Sequence, residues 1–195
     1  MVWVRDNSTF LIGVAGHRVL MEIDKLSPGI DVALRRVERA FARKTMTVIS
    51  SLAEGADRLV ARCALQRANA RLVVPLPLPQ SEYAKDFESE GSKREFLDLL
   101  ARAEQVSELP TQPSRGDAYR AAGLYVLGRC DVLIAVWDGN PSQGSSGTAE
   151  IVAEARHRKL PIAWIHAGNR KPGTMEATSL GAEQGLVTFE NFPVD

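Results

Sequence analysis

Three stretches of the chain combine glycine, small hydroxyl residues and charged side chains in a spacing suited to holding an anion. The first is Gly13-Val14-Ala15-Gly16-His17-Arg18, directly after a short apolar run. Glycine permits unusual backbone angles and close approach to a ligand. His17 and Arg18 are then placed to face that ligand, and Arg18 can grip a phosphate or carboxylate with two parallel hydrogen bonds. Two glycines alone fall short of the full G-x-G-x-x-G dinucleotide fingerprint. The second stretch is Ser50-Ser51-Leu52-Ala53-Glu54-Gly55-Ala56-Asp57-Arg58. Small residues and Gly55 at a helix start leave backbone N–H groups for an anion, Ser51 adds a hydroxyl, and Asp57 in the first turn reads as a cap ahead of a ligand contact. Glu54 has no structural task legible in the sequence and is a candidate for a ribose hydroxyl. The third stretch runs from Asp138 and Gly139 through Gly144, Ser145, Ser146, Gly147 and Thr148. It brings flexible backbone, hydroxyl donors and a helix start to one place, which is the physics of a phosphate cradle. It is not a Walker loop, because no Gly-Lys-Ser/Thr follows.

The elements that must position these loops alternate between strand and helix. Apolar runs at residues 10–15, 46–49, 72–74, 131–137 and 161–166 read as strands, with a weaker one at 105–109 and an edge strand at 186–189. The run Asp131-Val132-Leu133-Ile134-Ala135-Val136-Trp137 is continuous enough to be buried on both faces, as in a parallel sheet. Between the strands, helical periodicity begins at Ser27-Pro28, with Ser27 as N-cap and Pro28 in the first turn. Further helices are expected over 55–68, 92–103, 119–130 and 148–159; residues 81–90 are ambiguous. This order predicts an α/β fold with a doubly wound, mainly parallel sheet and helices on both faces. In such sheets ligands bind outside the carboxyl ends of the strands, which is where all three loops fall. Residues 1–167 are expected to form one domain and 168–195 a C-terminal tail, with the edge strand in it.

Composition narrows the function classes. The chain has 195 residues with 24 Lys plus Arg against 24 Asp plus Glu, a formal net charge of zero. That disfavours a protein held to nucleic acid by bulk charge. No apolar run approaches the ~18 residues of a membrane span, and no signal peptide is visible, so a cytoplasmic location is expected. Cys63 and Cys130 read as two buried thiols of a reducing compartment, and Cys and His are too few for a zinc site. No cofactor is expected. Trp137 and Tyr125 read as core aromatics, and His157 and His166 as satisfied or solvated.

Together the three loops resemble the SLOG superfamily, the Rossmann-like group that includes the Lonely Guy phosphoribohydrolases, DprA and nucleotide-sensing domains of bacterial conflict systems. The stretch 13–18 is similar to that family's first glycine loop. Glu54-Gly55-Ala56-Asp57-Arg58-Leu59-Val60-Ala61 resembles its G-A-D-x-L-A helix start. Val136-Trp137-Asp138-Gly139 and the stretch 144–148 resemble its last strand and Gly-Gly-x-Gly-Thr loop. The resemblance covers residues 11–167. It implies binding of a nucleotide or nucleotide-derived ligand, with phosphate at 144–148, Arg18 as anion grip and Glu54 or Asp138 at ribose. It also implies a homo-oligomer, a dimer or larger. The hydrolases of the group carry P-G-G-x-G-T-x-x-E. Aligned on Gly147-Thr148, the glutamate position holds Ile151, and Glu150 lies one residue early, about 100° away around a helix. The alternative is therefore an N-glycosidic hydrolase of nucleoside monophosphates. In it Glu150 stabilises the ribosyl cation or positions water, and Arg18 or Arg120 holds the substrate. A DprA-like nucleic-acid binder is disfavoured by the balanced charge.

Overall fold

Apolar side chains on the central strands alternate between two cores, and this alternation builds the molecule. In the computed structural model, which describes residues 8–41, 45–141 and 147–193, Phe10, Ile12 and Val14 of β1 (Thr9–Gly16) enter one core and Leu11 and Ala15 the other. Strand β5 (Val132–Trp137) behaves likewise: Val132, Ile134 and Val136 face one side, Leu133, Ala135 and Trp137 the other. A strand buried on both faces needs helices on both faces. The first core is closed by α1 (Ile23–Ala40), α2 (Ala56–Ala64) and α4 (Glu90–Leu100), the second by α5 (Arg115–Leu127) and α6 (Thr148–His157). Each fully buried Leu, Val, Ile or Phe side chain contributes about 1.5–3 kcal/mol.

The remaining strands are β2 (Thr45–Ile49), β3 (Arg71–Leu76), β4 (Gln105–Glu108), β6 (Ile162–His166) and β7 (Val187–Glu190). They join β1 and β5 in one seven-stranded sheet of order β4-β3-β2-β1-β5-β6-β7. All neighbours are parallel except β6 and β7. This is a doubly wound, Rossmann-like α/β fold. Chain order runs outward from β1 on one side and restarts from β5 on the other, with Gly16 paired to Val136 where the two meet. That reversal opens a crevice beyond the carboxyl ends of β1 and β5. Among the described residues, no helix is long and apolar enough to cross a membrane.

Two local features depart from the sequence pattern. Helix α1 starts at Ile23, one turn before Ser27, so Pro28 lies inside it. Lys25 and Leu26 N–H groups donate to the Glu22 carbonyl, and Leu26 is fully buried. That burial outweighs the single N–H that Pro28 cannot donate. The ambiguous residues 81–90 form α3 (Gln80–Tyr83) and a 3₁₀ turn (Ala84–Asp86). Their order comes from Tyr83 and Phe87, both buried and in edge or tilted contact with Phe96.

Candidate functional site

The crevice is a cavity of about 1200 Å³ bordered by Gly16, His17, Arg18, Ser51, Glu54, Asp57, Arg120, Asp138, Gly147, Thr148 and Glu150. The fold thus brings residues of all three loops to one place. Gly55 and Gly139 do not line it: Gly55 packs on the backbone of His17 and Arg18, and Gly139 on the Trp164 ring. Gly144, Ser145 and Ser146, the middle of the expected cradle, lie outside the described residues.

The loop after β1 is pinned on both sides. The His17 N–H donates to the Val136 carbonyl at 3.0 Å, and the Ala56 N–H donates to the His17 carbonyl at 3.0 Å. A Cβ at Gly16 would sit 2.3 Å from Ala56 Cβ. Gly55 has φ of 76°, and a Cβ there would lie 2.3 Å from the Arg18 carbonyl oxygen. Both glycines therefore let α2 dock against this loop. The His17 ring is buried, and its Nε2 accepts the Asp138 backbone N–H at 3.1 Å. Burial lowers the His17 pKa, while the Asp138 carboxylate acts in the opposite direction. The Asp138 Oδ1 accepts the Asn140 N–H at 3.0 Å, closing a local turn.

In the loop after β2, three of the N–H groups expected to be open to an anion are already taken. Ala56 N–H serves His17, Leu52 N–H donates to Ser50 Oγ at 3.1 Å, and Ala53 N–H donates to the Asp57 carboxylate. Ser50 Oγ also donates to Asp57 at 2.7 Å. Asp57 caps its own loop, yet it still borders the cavity, and burial pushes its carboxyl up to about 6 against the pull of these donors, Arg18 and Arg58. Ser51 Oγ donates to the Pro75 carbonyl at 2.8 Å. Glu54 has a structural task after all: it accepts the Ser92 hydroxyl of α4. Arg58, only 2% exposed, stacks 4.3 Å from the Phe87 ring centre and donates to the Leu52 carbonyl at 3.0 Å and to Ser92 Oγ at 2.8 Å.

Arg18 is an exposed cation of the cavity. Its guanidinium lies 5.3 Å from the Tyr119 ring centre, and it makes no ion pair among the described residues. Tyr119 donates its hydroxyl to Asp86, which Arg115 also holds at 2.9 Å. Opposite, α6 begins at Thr148 with Gly147 as its N-cap, and its hydrogen-bond ladder starts with Glu150 N–H to the Gly147 carbonyl. The N–H groups ahead of that bond are the ones a helix leaves for other acceptors. Within that first turn, Glu150 Oε1 accepts Arg120 Nε at 2.6 Å, and Oε2 is buried with no partner among the described residues. Ile151 points instead toward α5, where a Cβ at Gly123 would be 2.7 Å from Ile151 Cδ1.

Sequence reasoning missed part of the wall. Tyr83, Asp86 and Tyr119 reach the cavity from α3, the turn after it and α5, and residues 169–173 with Met175 and Thr178 border it from beyond β6. None of these carries a motif; only the packing of distant segments brings them in. Among the described residues no group of His, Cys, Asp and Glu is arranged to hold a metal ion, and Cys63 and Cys130 are free thiols.

No protein-family model matches the sequence, and no curated protein matches it. Among solved structures, the chain is similar to the structural genomics target TM1055, an X-ray structure, with 16% identity, 79% of this chain and 72% of that chain covered, and a TM-score of 0.47.

Proposed function

We propose that this chain binds a nucleotide or nucleotide-derived phosphate ester in the switch-point cavity, as the SLOG resemblance implies. The observation that carries the reading is Arg18: a guanidinium without an ion-pair partner among the described residues, held on Tyr119 in a cavity that the first turn of α6 also borders. Arg18 takes the phosphate oxygens in a two-pronged grip, and the N–H groups around Gly147 and Thr148 add to it. The ~1200 Å³ volume suits a ligand of nucleotide size or larger. The Tyr119 and Trp137 rings supply apolar wall for a base.

Thermal-shift titration with mononucleotides, cyclic nucleotides and dinucleotides tests this. A ligand present at one hundred times its Kd adds about 2.7 kcal/mol, roughly 5–10 °C for a chain of this size. Arg18→Ala should remove that shift. Absence of a shift with every nucleotide overturns the reading.

A second reading, N-glycosidic hydrolysis of nucleoside monophosphates, is favoured by one observation: Glu150 meets Arg120 at the cavity wall and keeps one carboxylate oxygen unpaired among the described residues. A carboxylate so held can stabilise a ribosyl cation or orient water. Release of adenine from AMP, abolished by Glu150→Gln, decides for it; no release decides for binding alone.

A further inference from the structure

The phosphate grip leaves two polar groups of the cavity wall unused: the hydroxyl of Tyr83 and the carboxyl of Asp57. Tyr83 is 1% exposed, and its ring is fixed by edge contacts with Phe87 and Phe96. A buried phenol ordinarily has a hydrogen-bond partner. This one has none among the described residues, so its partner has to come from the cavity it borders. Burial and the Asp57 carboxylate both push the Tyr83 pKa up, so the oxygen keeps its proton and can donate.

Asp57 supplies the complementary capacity. An ionised carboxylate has about four acceptor sites, and Ser50 Oγ and the Ala53 N–H take only part of that capacity. No basic side chain pairs with Asp57 among the described residues, although the charges of Arg18 and Arg58 act on it. With its carboxyl at about 6, it is mostly ionised at neutral pH. In that form it repels phosphate and accepts from a neutral donor.

The position of the pair selects the donor. Arg18 lies 5.3 Å from the Tyr119 ring centre, which is itself 6.3 Å from the Tyr83 ring centre. The Arg18 charge acts on both Asp57 and Tyr83. In a nucleotide the group joined directly to the phosphate is the ribose, and the base lies one unit further on. The adjacent ribose hydroxyls are neutral, and each both donates and accepts, which matches a carboxylate beside a phenol.

Resting on the nucleotide reading above, we propose that Asp57 and Tyr83 form the ribose subsite. The Asp57 carboxylate accepts from one of the 2′- and 3′-hydroxyls, and the Tyr83 hydroxyl bonds to the other. This moves the sugar contact from Glu54 and Asp138, the residues that the resemblance implies.

Calorimetric titration of the full chain with AMP, GMP, CMP and UMP, each beside its 2′,3′-dideoxy counterpart, tests the proposal. A ribonucleotide that binds should do so roughly tenfold or more tighter than its dideoxy counterpart. Asp57→Asn should erase most of that ratio. Tyr83→Phe should cut it roughly threefold or more, and it keeps the ring that packs on Phe87 and Phe96. A change in fold or in charge moves both members of a pair alike, so the ratio reports the contact itself. Equal affinities within every pair, or a ratio that survives both substitutions, overturn the proposal and leave the nucleotide reading standing. Failure of every monophosphate to bind overturns the proposal, and the thermal-shift titration with cyclic nucleotides and dinucleotides then decides the reading beneath it.

Discussion

The Nε2 of His17 accepts the backbone N–H of Asp138 at 3.1 Å, tying the loop after β1 to the loop after β5 where the strand order reverses. Removing the ring leaves the Asp138 N–H without its acceptor. His17→Ala should therefore lower stability by about 1–3 kcal/mol in urea unfolding. The bond needs an unprotonated Nε2, and burial lowers the His17 pKa below the usual 6.5. A lowered folded pKa means the unfolded chain binds more protons in that range. Its contribution is thus fully present above pH 6.5 and is lost as pH falls through the lowered value. The variant should lack that part of the acid sensitivity.

Asp57 acts in the opposite direction. Its carboxyl is raised from 3.8 to about 6 in the folded chain. The folded state then binds the proton more tightly, so this contribution is full below pH 3.8 and is lost as pH rises through about 6. Two units correspond to at most about 3 kcal/mol. Unfolding free energies measured from about pH 4 to about pH 7 should fall less steeply, or rise, in Asp57→Asn relative to the parent chain. Parallel curves for the two proteins would rule out this role.

Glycine substitutions should divide by what lies beyond the Cβ. At Gly55, with φ of 76°, the new atom would lie 2.3 and 2.4 Å from two backbone oxygens of residues 17 and 18. Gly55→Ala should cost about 3 kcal/mol or more, from left-handed strain plus displaced backbone. Gly173 has nearly the same φ, 73°, with nothing within 4 Å. Gly173→Ala should cost only about 1–2 kcal/mol. Similar melting temperatures for the two variants would refute the docking of α2 on the loop after β1.

Arg58 should be intolerant of replacement. Its buried guanidinium lies over Phe87 and holds the Leu52 carbonyl and Ser92. Arg58→Ala leaves these acceptors unpaired and opens a void, an expected loss of about 3–5 kcal/mol in chemical denaturation. Arg58→Lys should not rescue it, because an ammonium neither stacks nor forks.

The architecture, and the end of the sheet where the cavity lies, follow from the amino-acid order alone. The unbroken apolar run of β5 could only be buried on both faces, and alternating helices could only cover a parallel sheet that way. Gly16 was legible as a site of close approach, but to a ligand; that Ala56 of α2 packs there, and that Gly55 packs on the backbone of residues 17 and 18, was not. The start of α1 was not legible, since burial of Leu26 overrode the Ser27-Pro28 signal. Nor was the fate of the N–H groups after β2: Ala56 looked available until His17, far away in the chain, supplied its carbonyl. Glu54 looked idle until α4 brought Ser92 to it. The same holds for Tyr119 beneath Arg18. Local pattern sets element type because it depends on neighbours a few residues apart. Which donors remain free, and which walls close a cavity, depends on contacts between residues far apart in sequence, and those are decided by packing.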